Sequence, residues 1–335
     1  MGGYKIKALA STDKLGKFTE TTYDAPPLKD DEVYIEIEAC GVCHTDMIYM
    51  QQPNSVLGHE PIGRVKELGK GVTKFKVGDL VGFSYLRDAC LECRQCISGQ
   101  DVMCEKRVMF PEGGNNGFAE GVVCKSGFVY AVPEGLSAEE AAPLMCAGVT
   151  VFTALYQAKL PPTAHVAVVG IGGLGHLALQ FARAWGFHVT AISHSPNKKE
   201  ECLKFGAHEF LSSKDFEKTE YKGRKFDLIL DTVSVDLPWD SYLDLLDRNG
   251  SFFLIGLPNG PIEIKQIIPF LQSQRVFKGS ILGGRYMVEL MLEFAARHQI
   301  KPAIVNFPFS VEGLEKAVEE SEANKLRYRA VLTRN

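Results

Sequence analysis

The 335-residue sequence lacks any apolar run near the ~18 residues that a membrane-spanning helix needs. Its opening, Met1-Gly2-Gly3-Tyr4-Lys5-Ile6, has neither the apolar segment of a signal peptide nor the hydroxyl residue of a myristoylation signal. Thr333-Arg334-Asn335 carries no lipidation or peroxisomal signal. These absences set the expectation of a cytoplasmic protein with no membrane partner. A basic surplus is missing too. With 37 Lys and Arg against 41 Asp and Glu, the formal net charge is −4, which argues against a nucleic-acid partner. Internal repeats, low-complexity tracts and disordered linkers are also absent.

What is present has the length of two domains, because single hydrophobic cores rarely grow past ~250–300 residues. The first part is β-rich: residues 33–38 alternate as a half-buried strand does, and Gly and Pro recur at short intervals as turns. Around Ala141 the texture changes. A β-branched apolar run over 163–169 leads into a glycine cluster and an amphipathic helix over 173–185. Strands are expected over 188–192, 226–231, 251–255 and 276–281, alternating with helical stretches. That alternation implies an α/β unit with a doubly wound parallel sheet. A helix over 286–298 and a β-rich tail ending Tyr328-Arg329-Ala330-Val331-Leu332 return to the first domain.

Four of the nine cysteines, Cys90, Cys93, Cys96 and Cys104, fall within fifteen residues. Four thiolates this close suit a closed, tetrahedral structural zinc. Two disulfides or an iron–sulfur cluster are the competing uses. Without an export signal, nine cysteines fit a reducing compartment, where thiols serve metals more often than disulfides.

Gly170-Ile171-Gly172-Gly173-Leu174-Gly175 matches G-x-G-x-x-G between a strand and a helix, the context in which a dinucleotide pyrophosphate meets a helix N-terminus. An ordinary glycine-rich turn is the alternative. NAD enzymes place a carboxylate at the end of the following strand. Here that stretch is Ser193-His194-Ser195-Pro196-Asn197-Lys198-Lys199, with no acid before Glu200. Hydroxyls followed by cations suit a 2′-phosphate, so NADP(H) is expected over NAD; the alternative is that Lys198 and Lys199 form only a solvated helix start.

Gly41-Val42-Cys43-His44-Thr45-Asp46, then Gly58-His59-Glu60, then Cys146-Ala147-Gly148-Val149-Thr150 complete a set whose order is specific. With the cysteine quartet and the glycine loop, the whole chain resembles a zinc-dependent medium-chain alcohol dehydrogenase, most similar to the cinnamyl alcohol dehydrogenase-like, NADP-dependent group. The resemblance implies a GroES-like catalytic domain over 1–148 and 284–335 and a Rossmann domain over 149–283. It implies two zinc ions per chain. Cys43, His59 and Cys146 would hold the catalytic one, with Glu60 near it as an exchanging ligand and Asp46 orienting His59. Thr45 would hydrogen-bond the reacting oxygen. His44, Thr150, Gly170, Gly172, Gly173, Leu174, Gly175, Ser193, His194, Ser195 and Lys198 would contact NADP(H). A homodimer is implied, paired through the strand over 276–281, with a tetramer as the alternative. Cys40, Cys124 and Cys202 match no motif and are expected to be core residues or inert thiols.

Three departures from that family bear on the substrate. Ile48 stands where its members carry a relay histidine, so proton exit would use Tyr49, ribose and water. Only 15 residues separate Cys43 from His59, and the segment over 105–117 is also short, offering Phe110 alone as an aromatic wall. These trimmed walls imply a wider or more exposed pocket and broad reduction of aldehydes to alcohols; the alternative is that the trimming admits a larger, specialised substrate. Reduction of a conjugated C=C or C=N bond on the same scaffold is the enzymatic alternative. A non-catalytic descendant should have lost a zinc ligand or the glycine loop, and this chain keeps both.

Overall fold

The computed structural model describes residues 3–112, 114, 116–216 and 221–334. The chain divides into two compact units, Met1–Val149 with Gly283–Asn335, and Thr150–Leu282.

The hub of the first unit is the strand Glu32–Val42, part of a seven-stranded sheet. Val33, Ile35 and Ile37 are almost fully buried while Tyr34, Glu36 and Glu38 turn outward, the alternation expected of a half-buried strand. The inward residues pack with Val65, Phe83 and Val122, each such side chain contributing about 1.5–3 kcal/mol by leaving water. From Ala39 onward the strand is buried on both faces, so the chain runs into the interior and ends there at Cys43. Three partners flank it antiparallel: Glu60–Leu68, Gly121–Lys125 and the C-terminal strand Arg329–Thr333. The strand expected over 33–38 is therefore longer, because its second half trades alternation for complete burial, a pattern that period-2 reasoning does not detect.

The second unit is a six-stranded parallel sheet. Its strands lie in the order Glu209–Ser212, His188–Ser193, His165–Val169, Phe226–Asp231, Leu246–Leu254, Val276–Gly279. Counted along the unit this is 3-2-1-4-5-6, the doubly wound dinucleotide-binding order. Val166 to Val169 are wholly buried, as a central parallel strand requires. The helix Gly175–Ala184 follows the first strand and packs Leu177, Ala178, Leu179 and Phe181 inward. The strand Glu209–Ser212 leaves little trace in the sequence, since only its last residue is buried and its apolar content is two residues. Among the described residues, no single helix is long and apolar enough to cross a membrane.

At the C-terminal end of the fourth strand, Asp231 is fully buried. Its Oδ1 accepts the Val233 N–H at 3.1 Å, while Oδ2 has no partner among the described residues. Burial lifts its carboxyl to about 7, with the Val233 amide opposing. The folded chain thus holds this proton more tightly than the unfolded one. Its contribution to stability is complete below about pH 4 and is lost as pH rises toward about 7. Asp231→Asn removes the titration. Compared by urea denaturation, the variant should match the native protein near pH 4 and exceed it at pH 8 by up to about 4 kcal/mol.

Candidate active site and metal centres

The ends of three adjacent strands bring the first cluster together. Gly41 faces Glu60 in the register of the central pair, so Cys43 and His59 come side by side just beyond the two strand ends. Ala330 faces Val42, which brings Arg329 to the same end. Cys146 arrives from the turn between Ala142–Met145 and the helix Ala147–Ala158, where Ser84 Oγ donates to the Met145 carbonyl. The donor atoms of Cys43, His59, Glu60 and Cys146 all lie within 4.8 Å of one another. Close approach leaves no room for a side chain at position 41: a Cβ on Gly41 would sit 1.9 Å from Glu60 Oε2.

Asp46 organises this cluster. It is 1% exposed. Its Oδ2 accepts the Cys43 N–H at 2.9 Å, and its Oδ1 accepts the Gly58 N–H at 3.0 Å and faces His59 Nδ1 at 2.9 Å. With the His59 proton on Nδ1, Nε2 presents a lone pair to the thiols. That Nε2 is buried and has no hydrogen-bond partner among the described residues, and neither has Glu60 Oε2. Two buried polar atoms without partners, aimed into a nest of thiols, fit a cation.

The electrostatics agree. The thiol of Cys146 donates to Cys43 and, against the burial penalty and with Arg329 and His59 assisting, holds Cys43 well below the ordinary thiol range. Cys146 is pushed well up as the partner that keeps the proton. Burial pulls His59 down, but Asp46 and Cys43 outweigh it and raise it well above the usual value. The negative field that favours a second proton on His59 is the field a divalent metal would meet. Glu60 is pushed to about 7 by burial, against the pull of Arg329, which hydrogen-bonds its Oε1. Thr45 is half-buried and His44 exposed, both in the first turn of the helix His44–Tyr49.

The cysteine quartet occupies a loop stiffened by the short helix Arg94–Ile97. Its sulfurs lie 3.5 Å (Cys104–Cys90), 3.6 Å (Cys93–Cys96) and 4.0 Å (Cys90–Cys96) apart. A tetrahedral zinc with sulfurs at ~2.3 Å sets them about 3.8 Å apart. All nine cysteines are free, and these separations are far beyond a disulfide bond and too tight to surround several iron ions. The backbone N–H groups of Glu92 and Cys93 bring Cys90 down to about 7, easing ionisation. Cys40, Cys124 and Cys202 are buried elsewhere, and burial raises the thiols of the latter two to about 11.

In the second unit the glycine loop lies at the switch point between the first and fourth strands. Gly170 has φ +81°, and a Cβ on Gly175 would meet the Gly170 carbonyl oxygen at 1.9 Å, so strand and helix touch only through glycine. Gly172 faces open space, as a ligand-approach position requires. Gly173 and Leu174 complete the turn before the helix. Ser193 ends the second strand, its Oγ accepting the Ser195 N–H at 3.2 Å; His194 is exposed. Lys198 Nζ reaches back to the Ile171 carbonyl at 2.6 Å, which puts the cation over the loop. Thr150 lies in the helix Ala147–Ala158, half-buried.

Residues 29–134 match the alcohol dehydrogenase GroES-like domain, and residues 173–297 match the zinc-binding dehydrogenase family. The aldehyde reductase AdhA of Synechocystis is 38% identical over 334 residues, covering 98% of both chains. The chain belongs to the zinc-dependent medium-chain alcohol dehydrogenases, in their cinnamyl alcohol dehydrogenase-like group. A solved cinnamyl alcohol dehydrogenase from Sorghum bicolor has a TM-score of 0.89 and 34% identity, with 98% of each chain covered. The cinnamyl alcohol dehydrogenase from Helicobacter pylori, solved with NADP(H), has a TM-score of 0.88 and 28% identity, covering 99% of this chain and 98% of that one.

This alcohol dehydrogenase contains site residues that its sequence motifs do not announce. Arg329 is the only charged residue in the strand Arg329–Thr333, ahead of the apolar run Ala330-Val331-Leu332, and that oddity is the available signal. Tyr85 belongs to no motif. Its ring stands 5.3 Å from His59 and 5.5 Å from Phe110, and its hydroxyl is 3.4 Å from that of Tyr49. Phe110, the one aromatic of the segment over 105–117, packs on the imidazole, and Tyr49 and Tyr85 from other segments join it in a wall.

The Glu60–Arg329 pair is buried, so breaking one side leaves an unbalanced charge. Arg329→Met should cost about 3–5 kcal/mol in urea denaturation. Adding Glu60→Gln to it should recover part of that loss in a double-mutant cycle. Equal, additive losses would contradict the pairing.

Proposed function

We propose that the protein is an NADP(H)-dependent aldehyde reductase of broad aromatic and aliphatic specificity, acting on small-molecule aldehydes and the corresponding primary alcohols. The observation that carries this reading is the Cys43–His59–Cys146 donor set, with His59 Nε2 buried and without a hydrogen-bond partner among the described residues. Two thiolates and one imidazole leave an open coordination position, and this is the ligand set already known for the catalytic zinc of alcohol dehydrogenases. When bound there, zinc supplies a Lewis acid for the carbonyl oxygen, and NADPH supplies the hydride.

The chain's own residues do the rest. Asp46 fixes the His59 tautomer, and Glu60, tied to Arg329, serves as the exchanging neighbour of the metal. Thr45 would hydrogen-bond the substrate oxygen, giving a proton to the alkoxide in reduction and taking one from the alcohol in oxidation. Ile48 is aliphatic and 47% exposed, so it carries no proton. The Tyr49 and Tyr85 hydroxyls, 3.4 Å apart, are groups able to relay a proton between Thr45 and solvent, inward during reduction. The ring faces of Tyr49, Tyr85 and Phe110 discriminate mainly by shape, where one methylene is worth only about 1–3 kcal/mol. That supports broad specificity.

The 2′-phosphate reading rests on Ser193, Ser195 and Lys198 converging beside the glycine loop with no carboxylate among them. The Helicobacter pylori relative solved with NADP(H) supports it. A homodimer is supported by exposed Ile267, Ile268, Leu271, Val276 and Ile281 around the edge strand Val276–Gly279. Nine free thiols suit a reducing compartment, and we place the protein in the cytoplasm on that ground.

The test is oxidation of NADPH, beside NADH, with aromatic and aliphatic aldehydes and one enal, before and after zinc chelation. The reading predicts chelation-sensitive loss of NADPH absorbance, at least about 10-fold slower turnover with NADH, and an allylic alcohol from the enal. A saturated aldehyde from the enal would move the assignment to C=C reduction, and dominant NADH turnover would overturn the phosphate reading.

A further inference from the structure

Three of the chain's eight histidines gather at one place that neither the dehydrogenase chemistry nor the glycine loop uses. His165 opens the first strand of the parallel sheet, His188 opens the second, and His208 directly precedes Glu209 at the start of the third. His165 faces His188 in the strand register, and Glu209 faces Thr190, two residues along on the same face as His188. The donor atoms of His165, His188 and Glu209 lie within 4.8 Å of one another. His188 Nε2 and Glu209 Oε1 are already 3.0 Å apart.

We propose that His165, His188 and Glu209 form a third metal site, one that takes a single divalent transition-metal ion of the zinc class. Two imidazoles and one carboxylate are an established zinc donor set that leaves a position for water. The tautomer of His165 is set for it. Its Nδ1 lies 3.2 Å from the Lys225 carbonyl, which can only accept, so Nδ1 carries the proton. Nε2 therefore holds the lone pair and receives the Thr190 hydroxyl at 2.9 Å. A ring that donates one N–H to a backbone carbonyl while offering its other nitrogen is the usual state of a metal-binding histidine. The metal takes the lone pair that Thr190 now occupies.

His208 is a wall and not a ligand. Its Nδ1 accepts the Val189 N–H at 3.0 Å, and its ring stacks on His188 at 4.4 Å, limiting how that imidazole can turn. Phe226 packs on His165 from the other side at 4.5 Å. The donors stand on three neighbouring strands, and rigid elements place ligands better than loops do. Burial, with His188 nearby, holds His165 below the ordinary histidine value and favours the neutral, coordinating ring. Side chains of His188 and Glu209 remain 37% and 56% exposed, so ion and water have access. The site lies at the opposite end of the strand His165–Val169 from Gly170, and occupancy would clip three strands together there.

Zinc chloride is titrated calorimetrically into the protein after its thiolate centres have been filled and excess metal dialysed away. One further saturable equivalent per chain is expected. His188→Asn and Glu209→Gln, at a half-buried and an exposed position, should each abolish it while leaving the far-UV spectrum and aldehyde reduction unchanged. Absence of the further equivalent, or its persistence in either variant, would overturn the site.

Discussion

One carboxylate determines whether the catalytic unit can exist in its observed form. Asp46 is buried, and three N–H groups converge on it: the Cys43 amide, the Gly58 amide and His59 Nδ1. Hydrogen bonds to a charged acceptor contribute about 1.5–3 kcal/mol each, and orphaning such donors in the interior costs as much again. More than stability follows from them. The Cys43 bond starts the helix that carries Thr45, and the Gly58 bond folds the loop back. The His59 bond turns the lone pair of Nε2 toward Cys43 and Cys146. The loop of 15 residues between Cys43 and His59 closes because both of its ends bind the same side chain.

Around that carboxylate the charges are arranged in alternation. Cys43 and Glu60 bring negative charge, Arg329 sits buried against Glu60, and His59 lies between Asp46 and the thiols. Such a cluster is costly to assemble without a cation at its centre, since buried like charges repel in a low-dielectric interior. The cysteine quartet solves a different problem. Its loop buries little apolar surface, with Leu86, Ala89 and Phe128 as its main packing partners, so tetrahedral thiolate bonds supply the rigidity that a core would otherwise give. Asp101, hydrogen-bonded to the amide and guanidinium of Arg285, ties that loop to the helix Arg285–Arg297.

The parts of the site that are legible in the sequence are those held by local chemistry. Cysteine spacing announces the quartet, and G-x-G-x-x-G after a β-branched run announces the strand–loop–helix of the second unit. Cys43, His59 and Cys146 lie far apart along the chain, and only their resemblance-bearing contexts link them; strand register does the joining, which no local pattern encodes. Arg329 and Tyr85 stay hidden for that reason, since each reaches the cluster by tertiary packing alone. The strand Glu209–Ser212 escapes detection because an edge strand buries little, and burial is what writes periodicity into a sequence. His165, His188 and Glu209 likewise come together only through parallel register.

The central claim is that one chain holds two thiolate metal centres of different composition. Zinc-edge X-ray absorption of the purified protein tests it most directly. Four sulfurs from Cys90, Cys93, Cys96 and Cys104 and two from Cys43 and Cys146 predict an average of three sulfur neighbours per zinc, at two zinc ions per chain. The sulfur shell should lie at ~2.3 Å, with nitrogen or oxygen filling the remainder. A single zinc with four sulfurs would leave the Cys43–His59–Cys146 cluster without its metal, and with it the account of catalysis would fail.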